Sequence, residues 1–417
     1  MGFLVSALVL TGAFPASEAS PAALAERAAI RALLRKRAAA VLSGDKRAFM
    51  STIAAGASAF RGRQSRSFDA ISTVPLRTYS LTAVWARFGN LARASDVARY
   101  PDAQHVAIPV TEERYAIKGF DGRPVEEDLF LTFVEEGGRW RIASDADVAG
   151  LGLQSARQLW DFGPVSVSQS AHFMLLSHPC GSSIGCARLP ADMLNIAEQA
   201  LARVDRYWTK AWPHRIVIVA PTTSAELSRL LEATFDVKKF VAFAYSSEDV
   251  EHGLRFIGRR IILNWRSIAN RTSDSVLTIL AHELTHVATR PVSGPQMPVF
   301  VEEGIAEYVG YNADPASLGY LNSVVNAGGF DGKLPLDYQF TTGSGADIYL
   351  SYLKGESAVM FFINRWGMAR FVRFYETLGR ARVVPGTARF HLNQALRRTI
   401  GLGYSGFQKE WASSLRR

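Results

Sequence analysis

The chain has 417 residues, of which 48% are hydrophobic and 20% are charged. This composition is ordinary for a globular protein, and it excludes a disordered chain; no repeat period indicates a solenoid. The formal net charge is +9, but the Arg and Lys residues are dispersed and accompany no known binding motif, so we expect no nucleic-acid partner.

The first nineteen residues are typical of a signal peptide. Phe3 to Phe14 form an apolar run that is too short to span a bilayer, and Ser17 to Ala19 offer a cleavage site. No Lys or Arg precedes the run, which indicates either inefficient export or a misassigned start. No later segment is apolar enough to cross a membrane, so we expect a secreted or extracytoplasmic protein.

Residues 22–55 follow a helical period. Its predicted apolar stripe consists of Ile30, Leu33, Leu34, Val41 and Leu42. Gly44 interrupts the pattern, and Asp45 can cap a second, short helix that ends near Ile53.

Strands are predicted next. Tyr79–Phe88 has the pattern of one strand, and Asp128–Asp147 that of a hairpin with its turn at Gly137 and Gly138. Helices followed by such a meander resemble the SnoaL-like cone fold of the nuclear-transport-factor type, over residues 22–148. The resemblance implies either a small-ligand cavity or a plain apolar core that serves as a pro-domain or interaction module.

Residues 149–164 are interpreted as a linker, and residues 165–417 as a second domain. Strands open this domain, with a helix predicted at Ala191–Trp208, and the chain after Ser273 is mainly helical. Strands followed by helices predict the α+β class.

The two cysteines of the chain, Cys180 and Cys186, flank a short Gly/Ser-rich loop. In an exported protein this spacing favours a disulfide, with two free thiols as the alternative, because zinc half-sites usually have the tighter C-x-x-C spacing.

The segment Thr278–Arg290 reads "TILAHELTHVATR". Ser273 or Asp274 can cap a helix that carries His282 and His286 four residues apart, so both imidazoles leave one face and can bind one metal ion. Glu283 then lies beside the metal, where it can take a proton from a bound water.

A catalytic zinc site needs a third protein ligand. The metzincin pattern requires Gly and His where this chain has Thr289 and Val292, so that pattern fails. A second predicted helix follows in Met297–Tyr311, and its Glu303 and Glu307 share a face.

His-Glu-x-x-His followed by Glu-Gly-x-Ala-Glu resembles the gluzincin metallopeptidases, including proteins with a peptidase MA-like domain. The resemblance implies a thermolysin- or aminopeptidase-like catalytic domain that binds zinc through His282, His286 and Glu303. It also implies that Glu283 is the general base and that Glu307 hydrogen-bonds His282.

The segment Ser351–Gly367 resembles the aminopeptidase-type motif Tyr-x-Lys-Gly. By that resemblance Tyr352 stabilises the oxyanion during hydrolysis, with Tyr349 as the alternative. The Gly-x-Met-Glu-Asn exopeptidase motif is missing from the sequence. We therefore expect an endopeptidase that acts on a peptide or protein and binds it as an added strand along one of two predicted strands, in residues 239–247 or 259–265.

Other interpretations remain open at the level of sequence. The chain could bind zinc without catalysis, as a secreted interaction protein, or the N-terminal domain could be the functional part. The sequence predicts neither the substrate nor the oligomeric state.

Overall fold

The computed structural model describes residues 20–179, 190–233, 237, 241–249, 255–381 and 388–416. The predicted signal peptide and both cysteines, Cys180 and Cys186, lie outside the described residues. Within these ranges, none of the helices has the length and apolar character needed to cross a bilayer. The fold is a mixture of helices and small sheets, which confirms the α+β class in general.

We call residues 20–161 the N-terminal unit. Its sheets are three-stranded and antiparallel, with strand orders β1-β3-β4 and β2-β5-β6. Its elements are α1 (Pro21–Ser43), α2 (Lys46–Met50), α3 (Ser58–Ile71), β1 (Leu76–Val84), α4 (Trp85–Phe88), α5 (Ala94–Val97), β2 (His105–Ala107), β3 (Val110–Ile117), β4 (Val125–Phe130), β5 (Thr132–Glu136) and β6 (Arg139–Ser144), followed by 3-10 turns at Asp147–Leu151 and Leu159–Asp161.

Local signals explain the borders of these elements. Gly44 ends α1 in the left-handed conformation at φ 69°, and the Asp45 carboxylate then caps α2 by accepting from the Ala48 amide at 2.9 Å. Gly137 and Gly138 both have positive φ in the β5–β6 turn, as predicted. Leu42 was wrongly predicted to lie on the apolar stripe of α1. Its side chain is half exposed, because it lies beside Val41 around the helix axis and outside the buried face.

Two further differences concern strand ends and the connecting segment. The strand predicted for Tyr79–Phe88 is wrong at its end, since Trp85–Phe88 forms a helical turn. Within residues 149–164, which were interpreted as a linker, Leu159 and Trp160 are buried in the core of the N-terminal unit.

Among the described residues after Asp161, five strands form one sheet, with α6 and α7 between them in the chain and further helices after the last strand. The strand order is β10-β11-β9-β8-β7, with β8, β9 and β11 parallel to one another. The elements are β7 (Ser166–Gln169), β8 (Phe173–Ser177), α6 (Pro190–Tyr207), β9 (Ile216–Ala220), α7 (Ser224–Leu230), β10 (Ala242–Asp249), β11 (Arg255–Leu263), α8 (Trp265–Ile268), α9 (Ser273–Thr289), α10 (Val299–Gly310), α11 (Gly319–Asn326), α12 (Gly345–Trp366), α13 (Met368–Gly379), α14 (Ala388–Ile400) and α15 (Tyr404–Leu415).

This sheet separates two hydrophobic cores. In β9, Ile216 and Ile218 belong to the core shared with the helices, whereas Val217 and Val219 belong to the core of the N-terminal unit. Successive side chains of a strand point to opposite faces, so a strand that is apolar at every position has both faces covered. The sheet therefore carries the N-terminal unit on one face and the helices on the other.

The N-terminal unit is also joined to the sheet by a buried ion pair. Arg260 on β11 forms two parallel hydrogen bonds with Asp121, at 2.8 and 2.9 Å. Gly258, at φ 63°, allows the Val125 side chain to lie where a Cβ atom would stand. The contact is thus specific as well as apolar.

Candidate metal centre

Helix α9 presents two imidazoles one turn apart. It begins after Thr272, whose hydroxyl accepts from the Ser275 amide at 3.2 Å, so the predicted caps, Ser273 and Asp274, were wrong by one and two residues. His282 and His286 lie on one face of the helix, and their Nε2 atoms are 3.1 Å apart. His286 is buried, and His282 keeps a small exposed fraction.

Helix α10 contributes a buried carboxylate to the same point. Glu303 Oε2 lies 3.3 Å from His282 Nε2 and 3.5 Å from His286 Nε2. Ligands at 2.0–2.1 Å from a tetrahedral zinc ion are separated by about 3.3 to 3.4 Å. The three atoms are therefore spaced as such a metal requires, without rearrangement of either helix.

A second carboxylate from α10 fixes the orientation of the first imidazole. Glu307 Oε1 lies 3.2 Å from His282 Nδ1, which leaves Nε2 directed toward Glu303. Burial acts to lower the pKa of His282, but Glu307 and Glu303 outweigh it and raise the pKa to about 10. The local field thus favours positive charge at this point, which is what a cation-binding site needs.

Glu283, which follows His282 in the sequence, is buried in α9. Its Oε2 atom has no hydrogen-bond partner among the described residues. An acceptor that is buried and unsatisfied is costly, so such a group usually serves a ligand or a bound water. It is the carboxylate that the motif predicts to be a general base.

The structure separates the two candidate tyrosines of α12. Tyr352 packs edge-on against Phe340 at 5.2 Å, and its pKa is raised well above the ordinary value by burial and by the carboxylates of Glu303, Glu307 and Glu283. Its phenol therefore remains protonated and able to donate a hydrogen bond near those carboxylates.

Tyr349 has a different environment. It is 43% exposed and stacks on Tyr320 at 5.8 Å. Burial and the charges of Glu307 and Glu356 raise its pKa. Tyr349 is therefore largely open to solvent, whereas Tyr352 is partly buried and the charges of Glu303, Glu307 and Glu283 act on it.

Glycines let the three helices approach closely at this site. A Cβ atom on Gly304 would lie 2.5 Å from the Gly355 carbonyl oxygen, so α10 and α12 touch through their backbones. A Cβ atom on Gly310 would lie 3.1 Å from the Thr278 carbonyl oxygen of α9. Because Gly304 follows Glu303, the backbone contact determines how far this carboxylate lies from α12.

One fully buried and one partly buried carboxyl group near the centre were not predicted as site residues. Glu356, fully buried on α12, accepts from the Ser317 hydroxyl at 2.6 Å, and burial raises its pKa to about 8. Glu302 accepts from the Ser293 hydroxyl, and burial raises its pKa to about 7. The spacing of Tyr352 and Glu356, one helical turn, is a sequence signal that could have identified the first of them.

Among the described residues, His282, His286 and Glu303 are the group of three potential ligands whose atoms converge closely enough for one ion. The site draws together residues of α9 and α10, with Tyr352 of α12 beside them. A scan against protein-family models finds no match, and a search of curated proteins finds no similar sequence.

Proposed function

We propose that the protein is a zinc-dependent hydrolase of peptide bonds. The observation that carries the proposal is the trio of His282, His286 and Glu303, whose ligand atoms are 3.1 to 3.5 Å apart, as tetrahedral zinc requires. Carboxylate and imidazole ligands, with Glu283 next to the first histidine, favour a catalytic metal over a structural one, because structural zinc sites are closed by four protein ligands, most often thiolates.

Each residue then has a chemical task. A zinc ion bound here would lower the pKa of a coordinated water and polarise the substrate carbonyl. Glu283 accepts the proton of the attacking water and later donates it to the leaving amine, so that the proton balance closes. The Tyr352 phenol donates a hydrogen bond to the developing oxyanion. Glu307 holds the His282 ring in place.

The five-stranded sheet supports a peptide as the substrate. Among the described residues β10 is an outer strand of this sheet, and α9 packs against it. An extended peptide can add to the open edge of such a strand through main-chain hydrogen bonds. Of the two strands considered from the sequence, β11 lies inside the sheet, so β10 is the candidate edge. We propose an endopeptidase on this basis, and an extracytoplasmic one because the first nineteen residues have the pattern of a signal peptide.

Metal content provides the first test. We expect about one zinc per chain in the wild type and a large loss in Glu303→Ala, because two imidazoles alone bind zinc weakly. His105→Ala is the matched control, since His105 lies on β2 of the N-terminal unit with an exposed side chain. Wild-type protein that takes up no zinc on reconstitution would refute the site.

A peptide-library screen tests the chemistry. Glu283→Gln keeps the volume of the side chain but removes the base, so we expect unchanged zinc content and turnover reduced by about 10³-fold or more. Cleavage by this variant at the wild-type rate would refute the mechanism. Stoichiometric zinc without cleavage of any peptide would instead indicate a zinc-binding interaction protein.

A further inference from the structure

Two histidines lie side by side at one end of the five-stranded sheet, apart from the candidate metal centre. His172 immediately precedes β8, and His214 lies two residues before β9. These strands are parallel neighbours that pair Phe173 with Ile216, so the two histidines meet where both strands begin. Their imidazole rings have centroids 5.9 Å apart and planes at 87° to each other.

A carboxylate of α6 holds the first imidazole. Glu198 Oε2 lies 2.7 Å from His172 Nδ1, and Glu198 Oε1 accepts from the Ser170 hydroxyl at 2.6 Å and from the His172 amide at 2.9 Å. Burial acts to raise the pKa of Glu198, but these hydrogen bonds outweigh it and lower the pKa. Glu198 is therefore ionised at neutral pH and accepts the Nδ1 proton, which leaves Nε2 of His172 as the nitrogen with a free lone pair.

A second carboxylate of α6 holds the other imidazole. Asp205 Oδ1 lies 3.1 Å from His214 Nε2 and accepts from the Trp212 indole N–H at 2.8 Å. The Trp212 ring packs edge-on against the His214 ring, with centroids 4.5 Å apart, and so supports it from one side. Because Asp205 accepts the Nε2 proton, Nδ1 of His214 is the nitrogen that can bind a ligand.

The spacing of the two rings fits one metal ion between them. A metal ion lies 2.0–2.1 Å from an imidazole nitrogen, so it is about 3.2 Å from the ring centroid, and two such centroids can be up to about 6.4 Å apart. The observed 5.9 Å is within this limit. Both side chains are 38% exposed, so an ion can reach them from solvent. Histidines that bind a metal usually donate their other ring N–H to a carboxylate, and here both imidazoles have that partner.

The charges around the pair favour a divalent cation. Glu198 and Asp205 contribute two negative charges, whereas neutral imidazoles contribute none. The cation next in the chain, Arg215, is directed elsewhere. Its guanidinium donates to the Ala171 carbonyl at 2.7 Å and lies over the ring of Phe120 in the N-terminal unit.

We propose that His172 and His214 form a further metal site, which takes a late first-row divalent ion and binds Cu(II) most tightly. Water would complete the coordination. Two imidazoles bind zinc weakly, but the affinity of nitrogen ligands rises along the first-row metals to a maximum at Cu(II). The site shares no residue with the centre of His282, His286 and Glu303, so the proposal stands independently of the peptidase activity.

Titration of the zinc-loaded full chain with copper(II) chloride tests the proposal. Bound copper is followed by electron paramagnetic resonance, in which coordinated imidazole nitrogens split the copper signal. A zinc indicator dye is present throughout, because copper that entered the centre of His282 would release zinc. We expect about one equivalent of copper to bind without release of zinc, with splitting from two nitrogens.

Variants assign the bound copper to this pair. His172→Ala and His214→Ala should each weaken copper binding at least tenfold and leave splitting from one nitrogen at most. His105→Ala is the matched control and should bind as the wild type does, since His105 is another exposed histidine that lies near a carboxylate, that of Glu135. Glu198→Gln keeps the volume of the side chain but removes its charge, so it should weaken copper binding by about tenfold or more although it does not contact the ion.

Wild-type copper affinity in both His172→Ala and His214→Ala would overturn the proposal, as would copper uptake that occurs only with release of zinc. Should the chain take up no zinc, the metal-free chain is titrated instead. The comparison of the two histidine variants with His105→Ala then decides the question.

Discussion

The close contact of α10 and α12 makes Gly304→Ala an informative perturbation of the candidate metal centre. The added Cβ atom would lie 2.5 Å from the Gly355 carbonyl oxygen, 2.7 Å from its carbonyl carbon and 2.7 Å from Val359 Cγ2. A side chain could turn away, but the Gly355 backbone cannot. Ordinary contact begins at 3.4 Å, so the helices must separate by about 0.9 Å.

That separation would act directly on Glu303, a proposed metal ligand. Glu303 precedes Gly304 on α10, whereas Tyr352 lies one turn before Gly355 on α12. A misplacement of about 1 Å in such a centre can reduce turnover by about 10²-fold. The loss of folding stability should be smaller than overpacking alone would cause. Overpacking destabilises by about 1–3 kcal/mol, but replacing Gly by Ala within a helix stabilises by up to about 1 kcal/mol.

The assay is a competition titration of zinc against a chromophoric chelator, together with urea unfolding of the same protein. We expect Gly304→Ala to bind zinc at least tenfold more weakly and to unfold at a lower urea concentration. Gly319→Ala is the matched control, because nothing lies within 4 Å of its added Cβ atom at the start of α11. Wild-type zinc affinity and stability in Gly304→Ala would refute the argument from backbone contact.

Three further predictions follow from named contacts. Tyr352→Phe should lower kcat by about 10²-fold with little change in KM, because it removes the oxyanion donor. Tyr349→Phe should change kcat and KM by less than about threefold each. Equal effects of the two variants would contradict the assignment of the oxyanion donor. Arg260→Met leaves its buried carboxylate partner without a counter-ion, so urea unfolding should show a loss of about 3–5 kcal/mol, against less than about 0.5 kcal/mol for the exposed Arg139→Met. Burial raises the pKa of Glu113 to about 7 in the folded protein, so its contribution to the free energy of unfolding is present below pH 4.5 and is lost as the pH rises through 7. Glu113→Gln should therefore reduce the loss of stability between pH 5 and pH 8 by up to about 3 kcal/mol. An unchanged pH profile in this variant would show that Glu113 is not the titrating group.

Local sequence patterns predicted the helix of the metal centre well because its determinants lie within a few residues. The i, i+4 spacing fixes the relation of His282 to His286, and the same spacing relates Glu303 to Glu307. What local patterns could not predict is the distance between the two helices. That distance depends on Gly310, which lets α10 approach Thr278 on α9, and it is visible only when both elements are in place.

The dependence on tertiary packing also explains which buried polar residues the sequence did not predict. The spacing of Glu356, one helical turn after Tyr352, could have placed it on the same side of α12, but only the fold shows that it is fully buried beside Ser317. Arg37 is a comparable case, since it lies outside the predicted apolar stripe of α1 and is nevertheless only 5% exposed. Burial of a charged side chain is a property of tertiary packing, and no periodicity reports it.

The shared core bears on whether the N-terminal unit is a removable pro-segment. Val217, Val219 and Ile262 of the sheet are buried by that unit, and its loss would expose one whole face of strands that are apolar on both sides. Arg260 would lose Asp121 at the same time. A segment that is released by proteolysis normally leaves a folded remainder, whereas this arrangement predicts that the sheet and α9, which packs on its other face, depend on the N-terminal unit. The unit is therefore better understood as part of the scaffold that holds His282 and His286 in position than as an inhibitor of the centre they form.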